Sequence, residues 1–290
     1  MTMHTIQTEN GRTLEVLTLG SPSKEAVIFH HGTPGSYKSG AGMHLYVESQ
    51  GAFVISYSRA GYGDSSRNKG RTVIDNVKDV QAILSHFGVE KFVSIGQSGG
   101  GPHCLADTTL PQNQAAICVA GLGEFGDDDL NFFEGMGEEN LVEFGAALAG
   151  EIAMEEWMNE HSAPLANVTG TQIIEVLGGL LGVADKEALD AETAEYMAAG
   201  VRHALAVSYY GWVDDDLAFA KPWGFDLGAI NKPVELWQGG DDSMVPHSHG
   251  KWLHSKIAKS ELFLVPGEGH LSLGKNKRAE IISHALDYLN

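Results

Sequence analysis

Residues 96–100 read Gly-Gln-Ser-Gly-Gly and offer a nucleophile. They follow the apolar run Lys91–Gly96 and precede a helix-compatible stretch. Glycines at 96 and 100 permit a tight strand-to-helix turn that strains and exposes Ser98. The same turn points the Gly99 backbone N–H at developing negative charge. A serine hydroxyl needs a base at neutral pH. The chain has 13 histidines, and His270 is the one whose place fits. It ends Gly267-Glu268-Gly269-His270, just after the apolar run closing at Val265-Pro266. Loops at the C-terminal ends of parallel strands are where such sheets carry function. The base in turn needs an acid to hold its tautomer. The loop Gly239–Pro246, after Leu236-Trp237, offers Asp241 and Asp242, and local sequence does not choose between them. His31-Gly32-Thr33-Pro34-Gly35 follows a strand ending Phe29-His30. Its Thr33 N–H would join that of Gly99 around an oxyanion, and Pro34 stiffens the loop and makes the peptide before it a candidate for cis. Together these residues suit acyl transfer.

The other histidines read as structural. His30 and His31 belong to the glycine-proline loop, and His103 packs one turn beyond Ser98. His86, His161, His249, His254 and His284 are expected at the surface. None shows metal-ligand spacing, so no metal is expected.

The elements that must hold these loops alternate. Strand patterns fall at 3–8, 13–19, 25–30, 52–57, 91–96, 115–120, 233–237 and 261–265. Asn10-Gly11 marks a hairpin between the first two. Val73, Val77, Val80, Leu84 and Phe87 form one helical face, with Thr72 and Asp75 as its capping pair. A closing helix carries Ile281, Ile282, Ala285, Leu286 and Leu289 on one side. This rhythm predicts an α/β chain with a mostly parallel sheet covered on both faces. It breaks between 123 and 214, where helix-like stretches near 138–149, 151–161, 171–181 and 186–210 replace strands. The expected organisation is a core of residues 1–122 and 215–290 with an inserted helical cap, 123–214. Asp127-Asp128-Asp129 and Asp214-Asp215-Asp216 flank that block and read as solvated.

Composition narrows the class. Of 290 residues, 43% are hydrophobic and 20% charged, a globular balance. Lys plus Arg number 19 against 38 Asp plus Glu, a net charge of −19 that disfavours nucleic acid and anionic lipid as partners. The two cysteines, Cys104 and Cys118, sit in apolar surroundings and read as core. No apolar run is long enough to span a membrane, and no basic-then-apolar leader is apparent. A cytoplasmic location is expected.

These pieces, with Ser58–Ser65 (Ser-Arg-Ala-Gly-Tyr-Gly-Asp-Ser), stand in the order and spacing of one family. The chain resembles the alpha/beta-hydrolase fold superfamily over nearly its whole length. The resemblance implies an eight-stranded, mostly parallel sheet with an inserted all-helical cap. In the family's Gly-x-x-Asp-x-x-Val-Pro loop the acid falls on Asp242, counted from Gly239. It implies Ser98, Asp242 and His270 as a catalytic triad, with Thr33 and Gly99 as oxyanion donors. His31, Gly32, Pro34, Gly96 and Gly100 would be the structural frame. The reaction implied is hydrolysis of an ester or related acyl bond of a small molecule, without a cofactor. Branches with an aspartate nucleophile are disfavoured by Ser98. Prolyl iminopeptidases share the His-Gly-x-Pro-Gly loop and hold a substrate amine with acidic cap residues. Glu134, Glu138, Glu139, Glu143, Glu151, Glu155 and Glu156 make that the alternative, although the elbow lacks that branch's tryptophan. A non-catalytic binding protein on this fold would be expected to lose a triad member, and none is missing. Phe125, Phe132, Phe133, Leu141, Met154, Trp157 and Met158 are candidates for pocket lining or for lid packing.

Overall fold

A computed structural model describes all 290 residues. Eight strands run β1 (Thr2–Gln7), β2 (Thr13–Leu19), β3 (Glu25–His30), β4 (Phe53–Tyr57), β5 (Lys91–Gln97), β6 (Asn113–Val119), β7 (Val234–Gly239) and β8 (Ser260–Val265). Twelve helices accompany them: α1 (Ala41–Ser49), α2 (Asn76–Phe87), α3 (Gly101–Ala106), α4 (Glu138–Ala149), α5 (Glu151–Leu165), α6 (Gly170–Leu177), α7 (Val183–Ala188), α8 (Ala191–Ala204), α9 (Tyr210–Phe219), α10 (His247–Lys256), α11 (His270–Asn276) and α12 (Arg278–Asp287).

The strands form one sheet in the order β1-β2-β4-β3-β5-β6-β7-β8. The first two pairings are antiparallel, and the hairpin registers Gln7 against Thr13 around Asn10-Gly11. From β4 to β8 every pairing is parallel. Parallel strands must be buried on both faces, and their side chains divide accordingly. Val27, Phe29, Val93, Ile95, Ile117 and Val119 pack under α1 and α12 through Val47, Ile281, Ile282 and Ala285. Ile28, Ile55 and Phe92 face Val80, Ile83 and Leu84 of α2. Each such side chain contributes roughly 1.5–3 kcal/mol by leaving water. Cys104 and Cys118 are both buried and free.

Between β6 and β7 the chain forms α4–α9 and no strand. These helices share an apolar cluster of their own, with Met154, Met158, Ile173, Ala198, Val201 and Trp212, joined by Tyr62 and Met244. Met154 and Met158 are therefore packing residues of the helices, whereas Leu141 is exposed. The single helix expected over 186–210 is two. Asp190 starts α8 by accepting the Thr193 N–H (2.8 Å), which ends α7 just before it. The expected boundary at 214/215 falls inside α9. No helix is long and apolar enough to cross a membrane.

Candidate active site

The turn bearing Ser98 is built from close contacts that only glycine admits. A Cβ at Gly96 would lie 2.2 Å from the Gly100 carbonyl oxygen, and one at Gly100 would lie 2.2 Å from that of His30. The chain can therefore reverse from β5 into α3 within a few residues. Ser98 takes the strain, with φ at 55° in the left-handed region. Pro102 sits in the first turn of α3, where a missing N–H costs nothing.

His270 and Asp242 are brought together from the ends of adjacent strands. His270 follows β8 and Asp242 follows β7. The imidazole Nδ1 lies 2.8 Å from Asp242 Oδ2. Asp242 Oδ1 accepts the backbone N–H groups of Met244 (2.9 Å) and Val245 (2.8 Å), and Gln238 Nε2 donates to Oδ2 (3.2 Å). Asp242 is thus held from three sides, while Asp241 is exposed. Burial of His270 disfavours its charged form. The Asp242 carboxylate, by charge and hydrogen bond, and then Asp185 outweigh that, so the imidazole titrates above its ordinary value. Gly274 of α11 faces the Gln97 side chain, which places α11 beside the Ser98 turn. His270 is hydrogen-bonded to Asp242 and not to Ser98. Such nucleophile–base bonds commonly tighten only around bound substrate.

The glycine-proline loop flanks Ser98 on its other side. A Cβ at Gly32 would lie 3.9 Å from Ser98 Oγ, and one at Gly99 would lie 2.4 Å from Thr33 Oγ1. The Thr33-Pro34 peptide is cis. His31 Nε2 accepts the Arg59 N–H (3.0 Å), so its Nδ1 carries the proton donated to Gly32 O (2.7 Å). Burial and the Arg59 charge hold His31 well below the ordinary imidazole value, as this neutral tautomer requires. The Arg59 guanidinium donates to the His31 carbonyl, to Gly32 O (3.1 Å) and to Thr33 Oγ1 (3.1 Å).

At the centre of this network stands Asp215. The expectation that Asp214, Asp215 and Asp216 are solvated is wrong: all three are at most 1% exposed. Asp215 Oδ2 accepts from Thr33 Oγ1 (2.7 Å), Tyr62 OH (2.8 Å) and Arg59 Nη2 (2.6 Å), and Arg71 Nη1 lies 2.7 Å from Oδ1. Burial opposes its charge, but Arg59 and Arg71 prevail and hold the carboxyl well below the usual range. Asp214 pairs with Arg67 (2.8 Å). His103, expected as packing, is buried with Nε2 3.4 Å from Asp215, and burial followed by Arg59 lowers it to about 3. His30 is structural, with Nε2 2.8 Å from Asp107. His249 is a correction: it is fully buried rather than at the surface, bonded to Gly123 N (2.9 Å) and Phe132 O (2.9 Å). His86, His161 and His254 are exposed, and His284 is half-buried beside Glu235.

Sequence reading assigned no role to Asp185, Arg59, Arg71 or Asp215. For Asp215 a signal exists. Trp212, Asp215, Asp216 and Phe219 recur at helical spacing, so these acids share a face with aromatic residues. Asp185 carries no local signal, because its partners lie some 85 residues away.

Residues 25–121 match the alpha/beta hydrolase fold family. A non-heme chloroperoxidase of Streptomyces lividans is 25% identical over 252 residues, 85% of this chain and 84% of that protein. The bifunctional esterase/perhydrolase DCH of Acinetobacter calcoaceticus is 28% identical over 97 residues, 33% of this chain and 35% of that protein. Two of the sequence relatives overlap with this chain along only 29% and 35% of their own lengths. An esterase (EaEST) from Exiguobacterium antarcticum superposes with a TM-score of 0.75 at 17% identity, covering 99% of both chains. The mixed-start, mostly parallel eight-stranded sheet and the matched segment show that the chain has the alpha/beta-hydrolase fold, with residues 25–121 similar to that family.

Proposed function

We propose that this protein is a serine hydrolase that cleaves an ester or related acyl bond of a small molecule through an acyl-enzyme. The observation that carries the reading is the buried His270–Asp242 pair, whose histidine begins the helix that faces the turn of a serine held at positive φ. Ser98 Oγ attacks the carbonyl carbon while His270 Nε2 takes its proton. Asp242 holds the other ring nitrogen protonated and stabilises the imidazolium. The N–H groups of Thr33 and Gly99 receive the oxyanion. His270 returns its proton to the leaving alcohol, then activates water to release the acid. No metal or organic cofactor takes part. In this reading residues 123–214 form a cap over the site, and its helices select the substrate. An esterase among the relatives supports the ester over the amide.

One observation favours a second reading, an aminopeptidase. Among the cap glutamates singled out in the sequence, Glu143 is the one that meets a buried acid, Asp216. Burial and then the Glu143 charge push Asp216 well above the usual carboxylate range. Trp212 Nε1 donates to Glu143 Oε1 (2.5 Å). A substrate ammonium between the two carboxyls would relieve the repulsion that raises Asp216. The test is a hydrolysis screen of p-nitrophenyl esters of increasing acyl length beside proline and alanine p-nitroanilides. Serine-dependent turnover of esters alone supports the esterase, and turnover of free-amine anilides moves the assignment to the aminopeptidase.

A further inference from the structure

The helix that begins at the proposed base is capped from an unexpected place. A helix N-terminus leaves backbone N–H groups without partners, and the residue just before it ordinarily supplies an acceptor side chain. Before α11 that residue is Gly269, which has no side chain. The acceptor is Asp185, from α7 in the helical segment between β6 and β7. Its Oδ2 accepts the His270 N–H (3.1 Å), and its Oδ1 accepts those of Leu271 (2.8 Å) and Ser272 (2.9 Å). Asp185 is fully buried.

Three further features fit this arrangement. A Cβ at Gly269 would lie 2.5 Å from both Asp185 carboxylate oxygens, so glycine there is what admits the carboxylate. Lys275, on the same helix as His270, donates to Ala188 O (2.6 Å) and Asp190 Oδ2 (2.6 Å) and clamps the end of α7 to α11. A Cβ at Gly182 would lie 3.5 Å from Asp241 O, so the segment leading into α7 also touches the loop that carries Asp242. Segment 182–190 therefore bridges the two loops that hold the base and its acid.

We propose that Asp185 is a positioning residue for His270, so that the base is complete only when α7 of the helical segment is docked on α11. This rests on the reading of His270 as general base. Asp185 fixes the backbone N–H of the residue that bears the ring, and with it the direction of the side chain toward Asp242. Asp185 and Asp242 are the charged groups that face the imidazole, and both favour its protonated form.

The test compares wild type, Asp185→Asn, Gly269→Ala and Lys275→Ala as full-length proteins. Three readouts are used: Ser98 labelling by a fluorophosphonate, ester kcat and KM, and the His270 ring titration by NMR. Asp185→Asn removes a negative charge, so the His270 titration and the acid limb of kcat/KM should move to lower pH. Labelling and kcat should fall at least tenfold, with KM within about twofold. Gly269→Ala displaces the carboxylate without removing it and should reproduce the loss of labelling. It carries the test if Asp185→Asn does not fold. Lys275→Ala removes the clamp but leaves the three Asp185 hydrogen bonds, so its losses and its titration shift should be smaller than those of Asp185→Asn. Wild-type labelling and an unmoved His270 titration in Asp185→Asn, even with a lowered melting temperature, would overturn the proposal and leave Asp185 a structural brace. Wild-type protein that is not labelled at Ser98 would overturn the hydrolase reading instead, and the NMR titration would still decide the role of Asp185.

Discussion

Thr33 Oγ1 donates a 2.7 Å hydrogen bond to Asp215 Oδ2, tying the loop beside Ser98 to a helix 182 residues further along the chain. Arg59 reaches the same two residues, so the loop is held by a closed ring of charged contacts. Removing one member of a buried ion pair leaves the others without a counter-charge. Asp215→Ala should therefore destabilise the fold by about 3–5 kcal/mol. Urea unfolding measures this directly. Asp215→Asn keeps the shape and should cost less stability, while still lowering ester kcat through a loosened Thr33.

Asp242→Asn should leave the fold intact and reduce kcat on the order of 10⁴-fold. An amide facing His270 Nδ1 no longer favours a proton on that nitrogen, so Nε2 stops acting as the base. Asp241→Asn alters an exposed side chain and should leave kcat within about twofold. A reversed pair of results would transfer the role to Asp241.

The pH dependence of activity follows from the base. In the proposed mechanism His270 must be neutral to accept the serine proton, and its titration lies above the ordinary imidazole value of 6.5. The kcat/KM of wild type should therefore fall as pH drops through a pKa above 6.5, and Asp242→Asn should move that limb downward.

Stability should fall in acid for a different reason. His44 and His103 are lowered to about 3 and His249 to about 4, chiefly by burial. Below pH 6.5 the unfolded chain binds protons that these buried rings refuse, so stability is full above 6.5 and declines toward 3. Each ring contributes a slope of about 1.4 kcal/mol per pH unit in that window. The Asp216–Glu143 pair acts in the opposite sense, since its raised titration favours the folded state in acid. Urea midpoints between pH 7 and 4 should drop steeply, and His44→Gln should flatten the slope by about one proton.

Much of this was legible in the sequence because it is local. The eight strands, the Asn10-Gly11 hairpin and the Gly96–Gly100 turn announce themselves through period, turn chemistry and glycine spacing within a few residues. The loops bearing Asp242 and His270 could be found because function collects at strand C-termini. What escaped is set by long-range packing. Asp214–Asp216 reads as a solvated acidic run until Arg59, Arg67 and Arg71 are brought against it from the other half of the chain. His249 reads as a surface histidine until Gly123 and Phe132 fold over it. Asp185 acquires meaning only when α7 meets α11. In each case a polar group is buried by partners that no local window contains.

The most direct measurement is the reaction of wild type and Ser98→Ala with a fluorophosphonate and with short-chain p-nitrophenyl esters. The account predicts a covalent adduct on Ser98, ester turnover by wild type, and a loss of several powers of ten in Ser98→Ala with its melting temperature retained. Equal ester turnover by the two proteins, or an adduct on another residue, would contradict it.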